Sequence, residues 1–145
     1  DRADQTFRLP QQDSTRFLVV AAPEPDAMRE ASYFVERLRS EDMPLGGLIV
    51  NRVQAIDVEI MTAETALAAA ERLTRDAGDA VLTARLLELH ADRLRIRERQ
   101  RHVTERFTGA HPGVAVAQVP ALAGDVHDMT GLAKVGELLC APRAD

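Results

Sequence analysis

Phe17-Leu18-Val19-Val20-Ala21-Ala22, closed by Pro23, and Gly46-Gly47-Leu48-Ile49-Val50-Asn51-Arg52 are the stretches on which the fold turns. The first is a short continuous apolar run rich in β formers, the pattern of a strand buried on both faces. Between the two, Asp26 can cap a helix whose apolar positions Met28, Ala31, Phe34, Val35 and Leu38 recur at helical spacing. Pro44 and the Gly46-Gly47 pair end that crossover and deliver the chain to Leu48-Ile49-Val50. Strand, helix and strand make a βαβ unit, which implies parallel pairing.

Outward from this unit the pattern continues. Residues 1–15 are polar and include Pro10, as in a linker or the tail of a preceding segment. From Val58 to Ala77 the chain is alanine-rich, with Ile60, Met61, Leu67 and Leu73 among helix-favouring residues, and Gly78 breaks the run. A longer helix follows, in which Leu82, Leu86, Leu89, Ile96, Val103 and Phe107 form a narrow apolar seam interrupted at Arg93 and Gln100. Residues 58–108 therefore read as a helical hairpin inserted in the α/β part, or as one long bent helix. Val114 to Val119 is a third apolar strand after His111-Pro112-Gly113. Thr130 to Cys140 is a last amphipathic helix carrying Leu132, Val135, Leu138 and Leu139, and 141–145 is a tail. The order is β-α-β-αα-β-α over 16–140. A three-stranded sheet has edges, a hint that more strands belong beside it.

Bulk composition narrows the class. The 145 residues suit one domain, which at this size buries roughly two-thirds of its unfolded surface. A 46% hydrophobic and 28% charged composition argues against disorder. Apolar stretches break within about ten residues, well short of a bilayer span. The sequence opens on Asp1 with no basic-then-apolar leader, as in a processed chain or a piece of a longer protein, and we expect the piece. A net charge of -5 disfavours nucleic acid as a partner. The 3% aromatic content, without tryptophan, removes the stacking platforms of single-strand binders. The single cysteine, Cys140, leaves no internal disulfide and fits a reducing, cytoplasmic compartment.

Ligands of open α/β sheets lie at the carboxyl ends of the strands, so Asn51-Arg52 and the loop opened by Pro120 mark a binding rim. The Asn51 amide carries a donor and an acceptor in one plane, the complement of adenine's N7 and N6 edge; the plainer alternative is a turn residue closing a strand. Arg52 lies over a base or points to solvent. Pro120, its φ fixed, and Ala121 offer apolar contact and backbone groups to the other face of a base, or Pro120 merely stops a strand. Asp125 and Asp128, just before the last helix, are either functional or, the cheaper explanation, caps of that helix. Neither G-x-x-x-x-G-K-[ST] nor G-x-G-x-x-G occurs, so no phosphate cradle of the usual kind is present. Glu24 and Glu30 have no spacing of a catalytic pair, and helix-start electrostatics accounts for Glu30. His90, His102, His111 and His127 lack metal-ligand spacing and read as solvent-facing. The arginines at 93, 95, 97, 99, 101 and 106, interrupted by Asp92, Glu98 and Glu105, read as a solvated helix surface rather than an anion or partner site.

Three stretches resemble the C-terminal half of the ArsA-like anion-transporting ATPases, the deviant-Walker group of P-loop proteins, in its bacterial form. They are Thr15-Arg16-Phe17-Leu18-Val19-Val20 with Pro23-Glu24, Glu30 and Leu38; Ile49-Val50-Asn51-Arg52; and Val119-Pro120-Ala121-Leu122-Ala123-Gly124-Asp125-Val126-His127 with Gly131-Leu132. The resemblance implies a three-layer P-loop NTPase-like parallel sheet fragment with a long helical hairpin. It further implies an adenine site at Asn51, Arg52, Pro120, Ala121 and Leu122, with ATP or ADP and Mg bound only in a full-length protein. Its partners would be an N-terminal P-loop half, a related ATPase subunit in a homo- or hetero-dimer, and a membrane-protein or anion client, with membrane association only through a partner. No catalytic residue or metal ligand is expected in this chain, which alone should not hydrolyse ATP. The chain departs from the tail-anchored-protein targeting members in lacking a Cys-x-x-Cys zinc clasp after Asn51. Its four methionines, Met28, Met43, Met61 and Met129, are scattered and form no visible client groove. Two other readings stand beside this one: a noncatalytic interaction module using the long helical pair, and a regulatory domain with a degenerate nucleotide fold.

Overall fold

The computed structural model describes residues 15–56, 61–75 and 80–140. The expected linker before Thr15, the 141–145 tail, Val58, Ile60, and the Gly78 break lie outside the described residues. The elements are β1 (Phe17–Ala21), α1 (Pro25–Ser40), β2 (Leu45–Val53), α2 (Ala63–Arg75), α3 (Val81–Ala110), β3 (Val116–Pro120) and α4 (Met129–Cys140). They form two units. One takes in the chain up to Val53 and again from Val103, and the other is Gln54–His102, with α3 continuing from the second into the first.

The first unit holds a parallel sheet in the order β1-β2-β3. Its core comprises Ala21, Leu48 and Val50 from the strands, Met28, Ala31 and Val35 from α1, Phe107 from the end of α3, and Val114. The helix α1 begins with Pro25 in its first turn, where a missing N–H costs nothing. Glu24, in extended conformation, is the capping residue but makes no side-chain cap. The expected cap Asp26 instead lies inside the first turn and pairs with Arg29 at 2.9 Å. Phe34, expected on the inner face, is exposed.

The helix stops at a Schellman turn, with Met43 N–H donating to the Leu38 carbonyl and Asp42 N–H to that of Arg39. Asp42 occupies the left-handed position, at φ 53°. The Gly46-Gly47 pair therefore does not end the crossover but lies within β2. Gly47 is needed there for close approach: a Cβ on it would sit 2.6 Å from the Ala115 carbonyl oxygen, the acceptor of the Leu48 N–H at 2.8 Å.

β1 corrects one expectation. It is covered on one face only, and Leu18 and Val20 are 61% and 58% exposed. A continuous apolar run identifies a strand but does not say that this polypeptide covers both of its faces.

In the second unit, Thr62 starts α2 by accepting the Thr65 N–H on its hydroxyl oxygen. Ala66 and Ala70 of α2 are buried, as are Ala84, Ala91 and Leu94 of α3. Gln54 N–H donates to Oε1 of Gln100 at 2.7 Å, so one polar interruption of the apolar seam holds the start of this unit. Among the described residues no helix is long and apolar enough to cross a membrane.

Candidate functional site

The carboxyl ends of the three strands open on a cleft of about 880 Å³. Its wall is apolar: Val20, Ile49 and Val119 come from the strands, and Leu132, Val135 and Leu139 from one side of α4. Asn51, Arg52, Pro120, Ala121 and Leu122, the five residues singled out in the sequence, all line it, together with Asp125. Register explains the convergence. Asn51 pairs with Val119 and Val53 with Pro120, and Ala121 N–H donates to the Val53 carbonyl at 2.8 Å.

Between those two register points Arg52 is an extra residue, a bulge in β2. Its φ is 64°, in the left-handed region that side chains with a Cβ avoid. Two interactions hold it there. Its N–H donates to Oδ1 of Asn51 at 3.0 Å, and its guanidinium meets Asp125 at 3.2 Å across the rim. Arg52 is thus exposed, as one of its two expected courses has it, and is also paired with Asp125. The first of these bonds orients the Asn51 amide, using one lone pair of Oδ1. The second Oδ1 lone pair and the Nδ2 hydrogens carry no other bond among the described residues.

Asp128 is a cap as expected: its Oδ1 accepts the Gly131 N–H at 2.7 Å and its carbonyl the Leu132 N–H at 3.1 Å. Asp125 is not a cap; its carboxylate is taken by Arg52. The histidines also divide. His102 and His127 are exposed, but His111 is buried against Phe107 with ring centroids 4.7 Å apart. His90 is half-buried, and Nε2 of both His90 and His111 is buried without a hydrogen-bond partner. Neither residue lines the cleft.

The apolar wall was the part missed in the sequence. Its signal lies in the alternation of β1 and β2, where Val20 and Ile49 face away from the core positions Ala21 and Val50, and in the spacing of Leu132, Val135 and Leu139 along α4. An open cleft with an apolar wall and polar side chains at one rim is a starting point for a small-molecule site, and its volume falls in the range of such sites. Neither family models nor curated proteins give a match to this chain.

Proposed function

We propose that this chain is the adenine-side portion of an ArsA-like ATPase, with Asn51 and the loop of Pro120, Ala121 and Leu122 forming the base pocket. The observation that carries this reading is the meeting of those residues in one cleft at the carboxyl ends of neighbouring parallel strands. The fit is chemical as well as spatial. Asn51 has donors and one acceptor site to spare, matching the N7 acceptor and N6 donor of adenine, whereas guanine presents two acceptors on that edge. Pro120 and the aliphatic wall offer flat apolar cover for a purine plane.

In this reading the sheet belongs to a three-layer P-loop NTPase-like arrangement, and α2 with α3 forms its helical hairpin. The present residues bind and orient the base. Phosphate and Mg are held by an N-terminal half that supplies amide donors, a lysine and the metal ligands of phosphoryl transfer. The work of the whole protein is ATP hydrolysis coupled to anion transport or protein targeting, carried out in the cytoplasm as a dimer of related subunits.

Calorimetry tests it. The isolated chain should bind ADP very weakly and hydrolyse no ATP; robust hydrolysis by this chain alone would contradict the reading. In the longer protein, Asn51→Ala should cost about 1–2 kcal/mol of nucleotide affinity, the scale of one good hydrogen-bonding pair. Asn51→Asp keeps the acceptor for the Arg52 N–H but loses the Nδ2 donor, so an equal loss there assigns the effect to the ligand rather than to the bulge. Unchanged affinity in both variants would favour the second reading, an interaction module. The observation in its favour is the exposure of Leu82, Leu86 and Leu89 on α3.

A further inference from the structure

Those leucines carry an inference independent of any nucleotide. Leu82, Leu86 and Leu89 are 71%, 56% and 49% exposed, although each belongs to the heptad-spaced seam whose far end, Val103 and Phe107, joins the core of the first unit. At about 100° per residue, Leu82, Leu86, Leu89 and Arg93 fall in one stripe, roughly opposite the buried Ala84 and Ala91. The stripe is one layer short of a longer coil, because Arg93 occupies the next seam position.

We propose that this stripe pairs with the same stripe of a second copy of the chain, the two α3 helices antiparallel about a two-fold axis between Leu86 and Leu89. In that register Leu86 of each copy faces Leu89 of the other, and Leu82 faces the aliphatic stem of Arg93, whose charge snorkels out and ends the contact. Charge is compatible with this arrangement. The positions flanking the seam on one side are Arg85 and Asp92, and antiparallel pairing sets Arg85 of each copy beside Asp92 of the other, giving two symmetric attractive pairs. Within one copy Arg85 reaches Glu88 at 2.7 Å and Asp92 stands 3.9 Å from Arg95, so both are exposed and able to share a partner. The opposite flank, Thr83 and His90, sets no like carboxylates against each other.

The area places the contact among small interfaces. Three leucines at these exposures offer roughly 300 Å² per copy against about 800 Å² per partner in a standard interface, so the dimer is weak and concentration-dependent.

Sedimentation equilibrium of the full chain without nucleotide, from about 1 µM to 1 mM, should show a monomer–dimer equilibrium whose dimer fraction rises with concentration within that range. Leu86→Lys should weaken it more than tenfold while leaving the circular dichroism unchanged, since the side chain is exposed. Arg85→Asp alone should weaken it several-fold, and Arg85→Asp combined with Asp92→Arg should restore it, a rescue that a general loss of folding or a dimer through another face would not give. A monomer throughout that range would overturn the proposal and leave the stripe to a helix of another protein. A dimer indifferent to Leu86→Lys, or a double reversal without rescue, would overturn it as well.

Discussion

Arg52 holds a left-handed backbone at φ 64°, where a residue with a Cβ pays about 1–2 kcal/mol. What it gains in the chain is an ion pair with Asp125 whose side chains are 72% and 86% exposed, and pairs so exposed contribute about 0.2–1 kcal/mol. Arg52→Ala keeps the strained conformation and loses the pair, so it should lower stability by about 0.5 kcal/mol. Arg52→Gly loses the same pair but relieves the strain. Allowing about 0.4–1 kcal/mol for the greater freedom of glycine in the unfolded chain, the glycine variant should exceed the alanine variant by about 0.5–1 kcal/mol. At this chain length that is a difference of roughly 1.5–3.5 °C in Tm.

Thermal and urea melts of the two variants measure it. Asp125→Ala adds the control: it should cost a few tenths of a kcal/mol in the native background and about nothing beside Arg52→Ala, as for any pair whose coupling is removed with one partner. An alanine variant as stable as the glycine variant would refute the left-handed bulge at Arg52. With the bulge upheld, the cost it carries at a cleft rim is the kind of strain that functional sites retain. Arg52→Gly should then weaken ligand binding while improving the fold.

Other perturbations read other parts of the structure. Gly47→Ala would drive a Cβ to 2.6 Å from the Ala115 carbonyl oxygen and should destabilise the β2–β3 pairing by about 2–3 kcal/mol in urea melts, the upper range for overpacking. The Arg101 hydrogen bond to Glu98 holds that carboxyl below its ordinary value of 4.5. Its stabilising effect is therefore complete above that pH and lost as pH falls through the lowered value, and Glu98→Gln should flatten the acid limb of an ellipticity titration at 222 nm. Leu18→Ser and Val20→Thr, both on the exposed face of β1, should shift the urea midpoint by no more than about 0.5 kcal/mol of stability. Leu48→Ala, in the core, should cost about 2–5 kcal/mol in the same assay.

Much of the α/β unit was legible because its signals are local. Pro23, Pro44 and Pro112 punctuate the chain, the strands are short apolar runs, and α1 carries a helical stripe. The order of elements and their parallel pairing follow from those alone. The rim residues were legible for a positional reason, since a strand end in a parallel sheet is where a ligand is met.

What escaped depended on tertiary context. Asp42 closes α1 in a place where glycine is the usual signal, and Arg52 forms a bulge with no glycine to announce it. Asp125 looked like a cap until its partner, 73 positions away in sequence, was brought to it by β2–β3 register. His111 looked solvent-facing because nothing local says that Phe107, one helical turn earlier, carries it into the core.

The two faces of β1 and β2 connect the fold to the proposed site. Ala21, Leu48 and Val50 are spent on the core with α1, and the alternation of the strands turns Val20 and Ile49 to the other side. Had that side served only as a solvated surface, a half-polar strand would have sufficed, as in most sheets with one wet face. Instead Val20 and Ile49 are continuous with Val119 and with Leu132, Val135 and Leu139 of α4, forming one apolar wall, while the polar groups of the cleft, Asn51, Arg52 and Asp125, are confined to its strand-end rim. A ligand matched to this distribution has a flat apolar body and a hydrogen-bonding edge on one side. Under the proposed function a purine meets that description, its plane against the wall and its N6–N7 edge toward Asn51, so that the apolar pattern which made β1 look doubly buried is the same pattern that makes the cleft suitable for a base.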